Sequence, residues 1–247
     1  MASTMCSFCP PKSETGSQDS MAHESSPVLA LKLGTILLVL SLAIYHVSAA
    51  GVLGFGGGGG SGGSSGSGNC TNNTNNGGAI EFIRKSCNFT LYPAVCFSSL
   101  SGYAASVQQS HTQLAKVAIN VSLSNAQVVH RFVDSLSVTA SNINDSRALM
   151  ALKDCRTTFS DGISWMQQSL VELGILYTGN FRFHMSNILT WMSAALTDEQ
   201  TCIDGFEGVS TIPGLVLKAV VANQASAVGK VTSNALALVN YLNPQRS

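Results

Sequence analysis

Cysteine and histidine are the residue types in this chain that could support catalysis, redox chemistry or metal binding. Cys155 and Cys202 each lie on the apolar stripe of a long amphipathic helical pattern. The stripe of Cys155 also comprises Leu149, Leu152, Phe159, Ile163, Met166, Leu170 and Leu173, and that of Cys202 comprises Ile188, Met192 and Ala195. Two inward-facing cysteines on two helices suggest a structural cross-link, because secreted chains favour disulfides over reactive thiols. Cys87 and Cys96 are nine residues apart, close enough for a local bridge across a turn that contains Pro93.

The remaining cysteines do not form a metal or redox motif. Cys6 and Cys9 form a C-x-x-C near the start of the chain, but no second pair and no histidine cluster completes a tetrahedral site. Cys70 is isolated in the sequence, and it is either free or paired between molecules. We therefore expect no bound metal and no cofactor.

The histidines give no catalytic pattern. His111, His130 and His184 are the histidines of the helical part of the chain, and none lies in a nucleophile motif, in H-E-x-x-H or in a pair spaced by four. Each lies on or beside an amphipathic helix, where a surface or boundary side chain is the ordinary interpretation. An enzyme is therefore the weakest functional class.

The N-terminal region predicts secretion. Residues 33–50 form an apolar run of signal-peptide length that ends in small residues, with cleavage expected near Ala49 or Ala50. A retained membrane anchor is the alternative, although His46 interrupts the run before it reaches the roughly 20 apolar residues of a spanning helix. Translation from Met21 instead of Met1 would give an ordinary signal peptide. We expect an extracellular protein without a membrane segment after cleavage.

Composition adds two constraints. The formal net charge is +0, which gives no electrostatic footprint for nucleic acid. N-x-S/T sequons, usable only in a chain that enters the endoplasmic reticulum, predict a glycoprotein. They lie at Asn69, Asn72, Asn88, Asn120 and Asn144.

The chain divides into three parts by composition. Residues 1–50 hold the N-terminal arm and the signal peptide. Residues 51–78 are rich in Gly, Ser and Asn, without the G-K-[ST] of a phosphate-binding loop, and predict a disordered linker. Residues 79–247 hold the predicted folded domain.

Long amphipathic helices are predicted across the folded domain, and no strand-like alternation of useful length occurs. They cover about 104–136, a segment that includes Cys155 and ends near Gly174, residues 186–206, and a last segment from Pro213 to Asn243. Asp145 or Asn144 can cap the second helix, and Gly205 can end the third. Short connections predict an all-α, up-down-up-down four-helix bundle with an N-terminal disulfide-closed helical hairpin. The apolar face of the first helix is assigned to Leu114, Val117, Val121, Val128 and Phe132.

Polar side chains recur at helical spacing beside the suggested cross-link. On the helix of Cys155 they are Thr157, Asp161, Ser164 and Gln168, and on the helix of Cys202 they are Thr190, Thr197, Thr201 and Asp204. Composition alone does not separate a solvated face from a partner-binding one.

Several motifs resemble those of the plant invertase and pectin methylesterase inhibitor domain over about residues 79–242. They are Thr90-Leu91-Tyr92-Pro93-Ala94-Val95-Cys96, Leu152-x-Asp154-Cys155, Trp191-x-Ser193-Ala194-Ala195-Leu196-Thr197 and Thr201-Cys202-x-Asp204-Gly205-Phe206. The resemblance implies a secreted, non-enzymatic protein that binds either pectin methylesterase or acid invertase one to one. Invertase inhibitors of this family typically carry a Pro-Lys-Phe-like segment where this chain has Ser146, Arg147 and Ala148, and its absence favours pectin methylesterase.

The resemblance also implies a mechanism. The polar faces of the second and third bundle helices would lie across the pectin-binding cleft of the enzyme, in an interface of roughly 1,600 Å². Carboxylates in such a contact would make binding depend on pH. The residues assigned to the contact are Thr157, Asp161, Ser164, Thr201 and Asp204. An alternative role of Thr201 and Asp204 is to cap the turn that follows their helix.

A function of another class is the alternative to inhibition: a structural wall glycoprotein without inhibitory activity.

Overall fold

The computed structural model describes residues 74–243 of the chain, and the regular structure in this part is entirely helical. The predicted signal peptide, most of the linker, Cys6, Cys9, Cys70, Asn69 and Asn72 lie outside the described residues. The helices are α1 (Thr74–Cys87), α2 (Pro93–Leu100), α3 (Ala104–Val107), α4 (His111–Thr139), α5 (Ser146–Gly174), α6 (Phe181–Asp204) and α7 (Ile212–Asn240). One 3-10 turn, Ser101–Tyr103, precedes α3, and another, Ala140–Asn142, follows α4.

The four long helices form the bundle that the sequence predicts. Each of α4, α5, α6 and α7 packs against the next, and α7 returns to pack against α4. The connections between them are short, so consecutive helices run antiparallel. The expectation of an up-down-up-down bundle is therefore confirmed. Among the described helices, only α7 is long and apolar enough to be a candidate for crossing a membrane. In this structure α7 is the fourth helix of the bundle.

The predicted continuous helix over 104–136 is wrong at its start. The chain ends α3 at Val107, and Gln108 and Gln109 then take the left-handed conformation, with φ of 48° and 61°. Ser110 adopts an extended conformation, and its side chain accepts a hydrogen bond from the backbone N–H of Gln113, which begins α4. Two consecutive left-handed residues stop the helical hydrogen-bond ladder.

The buried face of α4 also differs from the expected one. Leu114 and Phe132 lie in the core, but Val117, Val121 and Val128 are only half-buried. The innermost positions are instead filled mainly by small and medium apolar residues, which allow neighbouring helices to approach. Besides Leu114 and Phe132 these are Ala115, Ala118, Ile119, Ala126, Val129, Val133 and Leu136.

The stripes predicted around Cys155 and Cys202 form the centre of the core. Phe159 and Met166 on α5 are fully buried, as are Ile188 and Met192 on α6. Burial of side chains of this size contributes roughly 1.5–3 kcal/mol each. Leu149, Ile163 and Leu170, at the margins of the predicted stripe, are half-buried.

Helix ends are fixed by side-chain caps. Asp145 caps α5 by accepting a hydrogen bond from the backbone N–H of Ala148, as expected. Asn180 caps α6, so this helix begins at Phe181 rather than at the predicted Ser186. Thr211 caps α7, with Pro213 in the first turn.

The N-terminal hairpin is closed by a disulfide and is bonded to the bundle through the side chain of Asn234. The Cys87–Cys96 disulfide closes the α1–α2 turn, with both cysteines buried. The backbone N–H of Tyr92 donates to Asn234 Oδ1 at 3.0 Å, and Asn234 Nδ2 donates back to the Tyr92 carbonyl at 3.0 Å. A buried amide of α7 thus satisfies the backbone N–H of Tyr92 and shares the Tyr92 carbonyl with the backbone N–H of Cys96, which donates to it at 2.9 Å.

Candidate partner-binding face

The second disulfide holds α5 and α6 close together. Cys155 and Cys202 are bonded, both are buried, and their Cα atoms are 4.1 Å apart. Two turns further along α5, a Cβ on Gly162 would lie 3.6 Å from the carbonyl oxygen of Ala195. The bonded cysteines are the pair that the sequence suggested. Because the two helices touch along their length, side chains on their outer faces form one continuous surface.

The five side chains assigned to partner binding all lie on this outer surface. Thr157, Asp161 and Ser164 are exposed along α5. Thr201 and Asp204 are exposed in the last turn of α6, beside the disulfide. We call these five residues the polar face. Within residues 74–243 all five side chains are therefore open to solvent, on two neighbouring helices.

The hydroxyl groups of the polar face are held by their own helices. Thr157 Oγ1 donates to the Lys153 carbonyl at 3.3 Å, and Thr201 Oγ1 donates to the Thr197 carbonyl at 2.8 Å. Ser164 Oγ accepts from Gln168 Nε2 at 3.3 Å. These bonds fix side-chain rotamers and leave lone pairs directed outward. The face is thus ordered before a partner arrives.

The alternative capping role of Thr201 and Asp204 is not seen in their side chains. Asp204 Oδ1 accepts from Gln200 Nε2 at 2.8 Å, a contact within the helix. Gly205 is the C-cap of α6, and its backbone N–H binds the Thr201 carbonyl at 2.9 Å. The Asp204 carbonyl accepts from the backbone N–H of Glu207 at 2.9 Å, so both residues contribute to the helix end through main-chain atoms.

A second carboxylate, which the sequence analysis missed, lies beside Asp161. Asp198 of α6 is half-buried between the helices, and one of its oxygens, Oδ2, is buried without a hydrogen-bond partner. Burial raises the pKa of Asp198, the nearby charge of Asp161 raises this pKa further, and a hydrogen bond from Trp165 opposes both effects. The edge of the polar face therefore carries two carboxyl groups, and the charge of Asp161 disfavours ionisation of Asp198.

Glu199, the next residue, points the other way into the bundle. Its side chain is 2 % exposed, Oε1 accepts from Thr232 Oγ1 of α7 at 2.7 Å, and Oε2 has no partner. Burial raises the pKa of Glu199 to about 8, against the opposing hydrogen bond from Thr232. The group is therefore protonated at mildly acidic pH. Its position four residues after Ala195 and three before Cys202 places it on the predicted stripe, which is the signal that could have identified it.

The histidines do not assemble with a nucleophile. His184 Nδ1 lies 2.9 Å from Glu172 Oε1, and His130 Nδ1 lies 3.5 Å from Asp134 Oδ2. His111 packs between aromatic rings at the far end of the bundle. Within residues 74–243 no group of three metal-ligating side chains occurs. Both carboxylate contacts tie a histidine to a neighbouring turn or helix, which is a structural role.

The sequons in the described part remain glycosylation predictions. Asn88, Asn120 and Asn144 are all exposed. Asn120 Nδ2 donates to the Lys116 carbonyl at 2.9 Å, a bond that a glycan on this nitrogen would have to share or break.

The chain is similar to known proteins in sequence and in structure. Residues 81–238 match the family model described as plant invertase/pectin methylesterase inhibitor. A "21 kDa protein" of Daucus carota is 44 % identical over 165 residues, covering 66 % of this chain and 83 % of the relative. "Pectinesterase inhibitor 11" of Arabidopsis thaliana is 42 % identical over 166 residues, covering 66 % and 80 %.

A solved structure shares the fold. It is a mutant form of a pectin methylesterase inhibitor from Arabidopsis, which superposes with a TM-score of 0.51 at 20 % identity. The match covers 64 % of this chain and 95 % of the solved one. At that identity the likeness supports the helical fold alone.

Proposed function

The chain belongs to the plant invertase/pectin methylesterase inhibitor family, and on this premise we propose that it is a secreted protein that binds pectin methylesterase one to one and blocks its pectin-binding cleft. The protein is an inhibitor and not an enzyme, in keeping with relatives that are named pectinesterase inhibitors. The observation that carries the choice of target is the 42 % identity with a relative of that name.

The position of the polar face supports the proposed mode of action. Thr157, Asp161 and Ser164 are exposed in a row on α5, and Thr201 and Asp204 are exposed on the adjacent α6. The Cys155–Cys202 disulfide fixes the two helices that carry them, so little conformational freedom is lost on binding. Blockade would then be steric and polar, without covalent chemistry.

The start of α5 supports pectin methylesterase over acid invertase. Ser146, Arg147 and Ala148 form its first turn, capped by Asp145, with the Arg147 Nε donating to the Glu207 carbonyl at 3.1 Å. A Pro-Lys-Phe-like segment is absent from this place. The proposal includes the apoplast as the site of action, where the wall enzyme is found.

A titration tests the proposal. The purified, oxidised full chain is added to plant pectin methylesterases and, separately, to acid invertases, following methanol release and sucrose hydrolysis at mildly acidic pH. We expect methanol release to stop at one equivalent while sucrose hydrolysis continues. Loss of sucrose hydrolysis instead would identify an invertase inhibitor. An unchanged rate in both assays would favour a structural wall glycoprotein.

A matched pair of variants tests the surface. Thr157→Ala, Asp161→Asn and Ser164→Ala together should weaken inhibition by about tenfold or more, because a few central residues carry most of the binding energy. The control combines Gln113→Ala, Lys116→Ala and Ser124→Ala, which are exposed on α4. Both triple variants should melt like the parent, since alanine is a good helix former. Equal inhibition by the two would place the contact elsewhere.

A further inference from the structure

An aromatic pocket lies at the end of the bundle that holds the hairpin, away from the disulfide of the polar face. It has a volume of about 210 Å³ and lies where α1 and the turn after it meet the start of α4 and the end of α7. Phe82, Phe89, His111 and Tyr241 contribute rings to its wall, and Lys85 contributes an amine. The inhibitor function proposed above uses none of these residues.

The rings form a connected series rather than scattered contacts. His111 lies between Phe82 and Tyr241, with ring centroids 4.7 Å and 4.8 Å apart. Tyr241 in turn stacks with Phe89 at 5.8 Å. Rings at these separations attract one another and hold a fixed arrangement. The pocket wall is therefore preorganised.

Stacking does not remove the outer rings from water. Phe89 is 73 % exposed and Tyr241 is 49 % exposed, although both belong to the pocket wall. The floor of the pocket is held in place, because Ser86, Thr90 and Leu238 are buried and the Cys87–Cys96 disulfide closes the adjacent turn. A rigid concave site with exposed aromatic faces is the usual form of a small-ligand pocket.

The polar groups around the rings indicate a carboxylated ligand. Lys85 is exposed, and among the described residues Glu81 is its only partner in an ion pair, at the outer limit of 4.0 Å. Glu81 is shared with Arg84, at 3.6 Å. No other acidic residue lies on α1, α2 or α3. An incoming carboxylate could therefore pair with Lys85 without displacing a strong bond.

From these features we propose that the pocket binds one sugar ring that carries a carboxylate, such as a uronic acid unit of an acidic polysaccharide. The C–H face of the sugar packs on Phe89 and Tyr241, whose ring faces carry partial negative charge. Lys85 pairs with the carboxylate, and the hydroxyls meet the polar atoms of Ser86 and His111. The volume suits a single ring, since pockets for drug-sized ligands begin at roughly 300 Å³.

The test uses the full oxidised chain with Asn88→Gln, which removes the sequon next to Phe89 and keeps a glycan from covering the pocket. Binding of a galacturonic acid trimer and of a neutral galactose trimer is measured by calorimetry and by saturation-transfer NMR. We expect the acidic trimer to bind more tightly. In the NMR experiment, saturation should reach mainly the C–H protons of the sugar.

Two pocket variants separate the contributions. Phe89→Ala with Tyr241→Ala should weaken binding of the acidic trimer by about tenfold. Lys85→Gln should weaken the acidic trimer about threefold and leave the neutral one unchanged, as expected for an exposed ion pair. Lys218→Gln, at a half-buried position of α7 outside the pocket, is the charge control.

The outcomes distinguish this inference from the proposed function. Neither pocket variant should alter inhibition of pectin methylesterase, so a failed inhibition assay leaves the sugar measurement intact. Absence of binding to either trimer would overturn the inference. Binding that survives the loss of Phe89 and Tyr241, or that Lys218→Gln weakens as much as Lys85→Gln, would overturn it as well.

Discussion

Glu199 places a carboxyl group in the middle of the helix bundle, with Thr232 as its only hydrogen-bond partner among the described residues. Its pKa of about 8 in the folded protein lies well above the value near 4.5 of an unfolded chain. Asp198, the neighbouring acid, has a pKa shifted in the same direction. A raised folded pKa means that the folded state binds the proton more tightly than the unfolded state.

The sign of the pH effect follows from this difference. The stabilising contribution of the Glu199 proton is complete below pH 4.5 and is lost as the pH rises toward 8. Within that window the free energy of unfolding should fall by up to about 1.4 kcal/mol per pH unit. Urea denaturation of the full chain at pH 5, 6 and 7 measures the slope directly.

Glu199→Gln is the matched variant, because an uncharged amide keeps the shape and can still accept the Thr232 bond. Its unfolding free energy should change much less between pH 5 and pH 7 than that of the parent. A parent slope near zero would contradict the assigned protonation. The sequence could place residue 199 on the buried stripe by its spacing, but its protonation depends on the tertiary packing of α6 against α7.

The starts of α5 and α7 are joined by a hydrogen bond between their cap residues. The cap of α5, Asp145, also accepts a hydrogen bond from the Thr211 hydroxyl, the cap of α7. That bond, ahead of the one from the backbone of Ala148, holds the pKa of Asp145 below its usual value. Gly214 lies against the carboxylate of Asp145. A Cβ added to Gly214 would clash with this carboxylate and would lie 2.6 Å from Val209 Cγ1.

Gly214→Ala should therefore destabilise the protein although alanine favours helices. Overpacking of this kind costs about 1–3 kcal/mol. The control is Gly174→Ala, where a Cβ would meet nothing within 4 Å and where helix propensity should add up to about 1 kcal/mol. Thermal unfolding of both variants measures these two changes in stability. A Gly214→Ala protein as stable as the control would mean that the two caps are not packed as described.

The two disulfides should contribute unequally to stability. Cys155–Cys202 closes a segment with a sequence separation of 47, whereas Cys87–Cys96 closes one with a separation of 9. In the chain-entropy model the two bonds stabilise by about 4 and about 3 kcal/mol. Replacing the first pair by alanine should lower the unfolding free energy more than replacing the second. The reverse order would show that the hairpin turn depends on its bridge for more than loop entropy.

The elements were predictable where side-chain spacing and caps agreed. The stripe of Phe159, Met166 and their neighbours identified α5, and Pro213 marked the start of α7. The break before α4 was not predictable, because glutamine carries no preference for the left-handed φ that Gln108 and Gln109 adopt. Tertiary contact at the hairpin decides it: a Cβ on Gly78 of α1 would lie 3.1 Å from Gln109 Nε2.

The candidate site could likewise be predicted from the sequence only in part. Helical spacing placed Thr157, Asp161 and Ser164 on one exposed row, since that spacing is a property of α5 alone. Helical spacing could not reveal that Asp198 of α6 lies close to Asp161, whose charge raises the pKa of Asp198. That relation depends on the register between two helices, which the Cys155–Cys202 disulfide and the close approach at Gly162 determine.

Across the whole molecule, charge is unevenly distributed although the net formal charge is +0. The helix α7 carries Lys218 and Lys230 and no acidic residue. The polar face carries Asp161 and Asp204, both exposed. An inhibitor with acids on its contact surface should favour enzyme surfaces of positive charge, because complementary potentials accelerate association and determine specificity.

This distribution predicts how salt affects inhibition. Association with a pectin methylesterase should slow severalfold when ionic strength rises from about 0.01 M to 0.15 M, since the Debye length falls from about 30 Å to about 8 Å. Asp161→Asn with Asp204→Asn should reduce that salt dependence, whereas Lys218→Gln with Lys230→Gln should leave it in place. Stopped-flow or surface-plasmon measurements of the association rate at several salt concentrations provide the test. If both double variants showed the parent's salt dependence, the steering charges would lie outside the polar face, and the proposed orientation of the bundle on the enzyme would have to change with them.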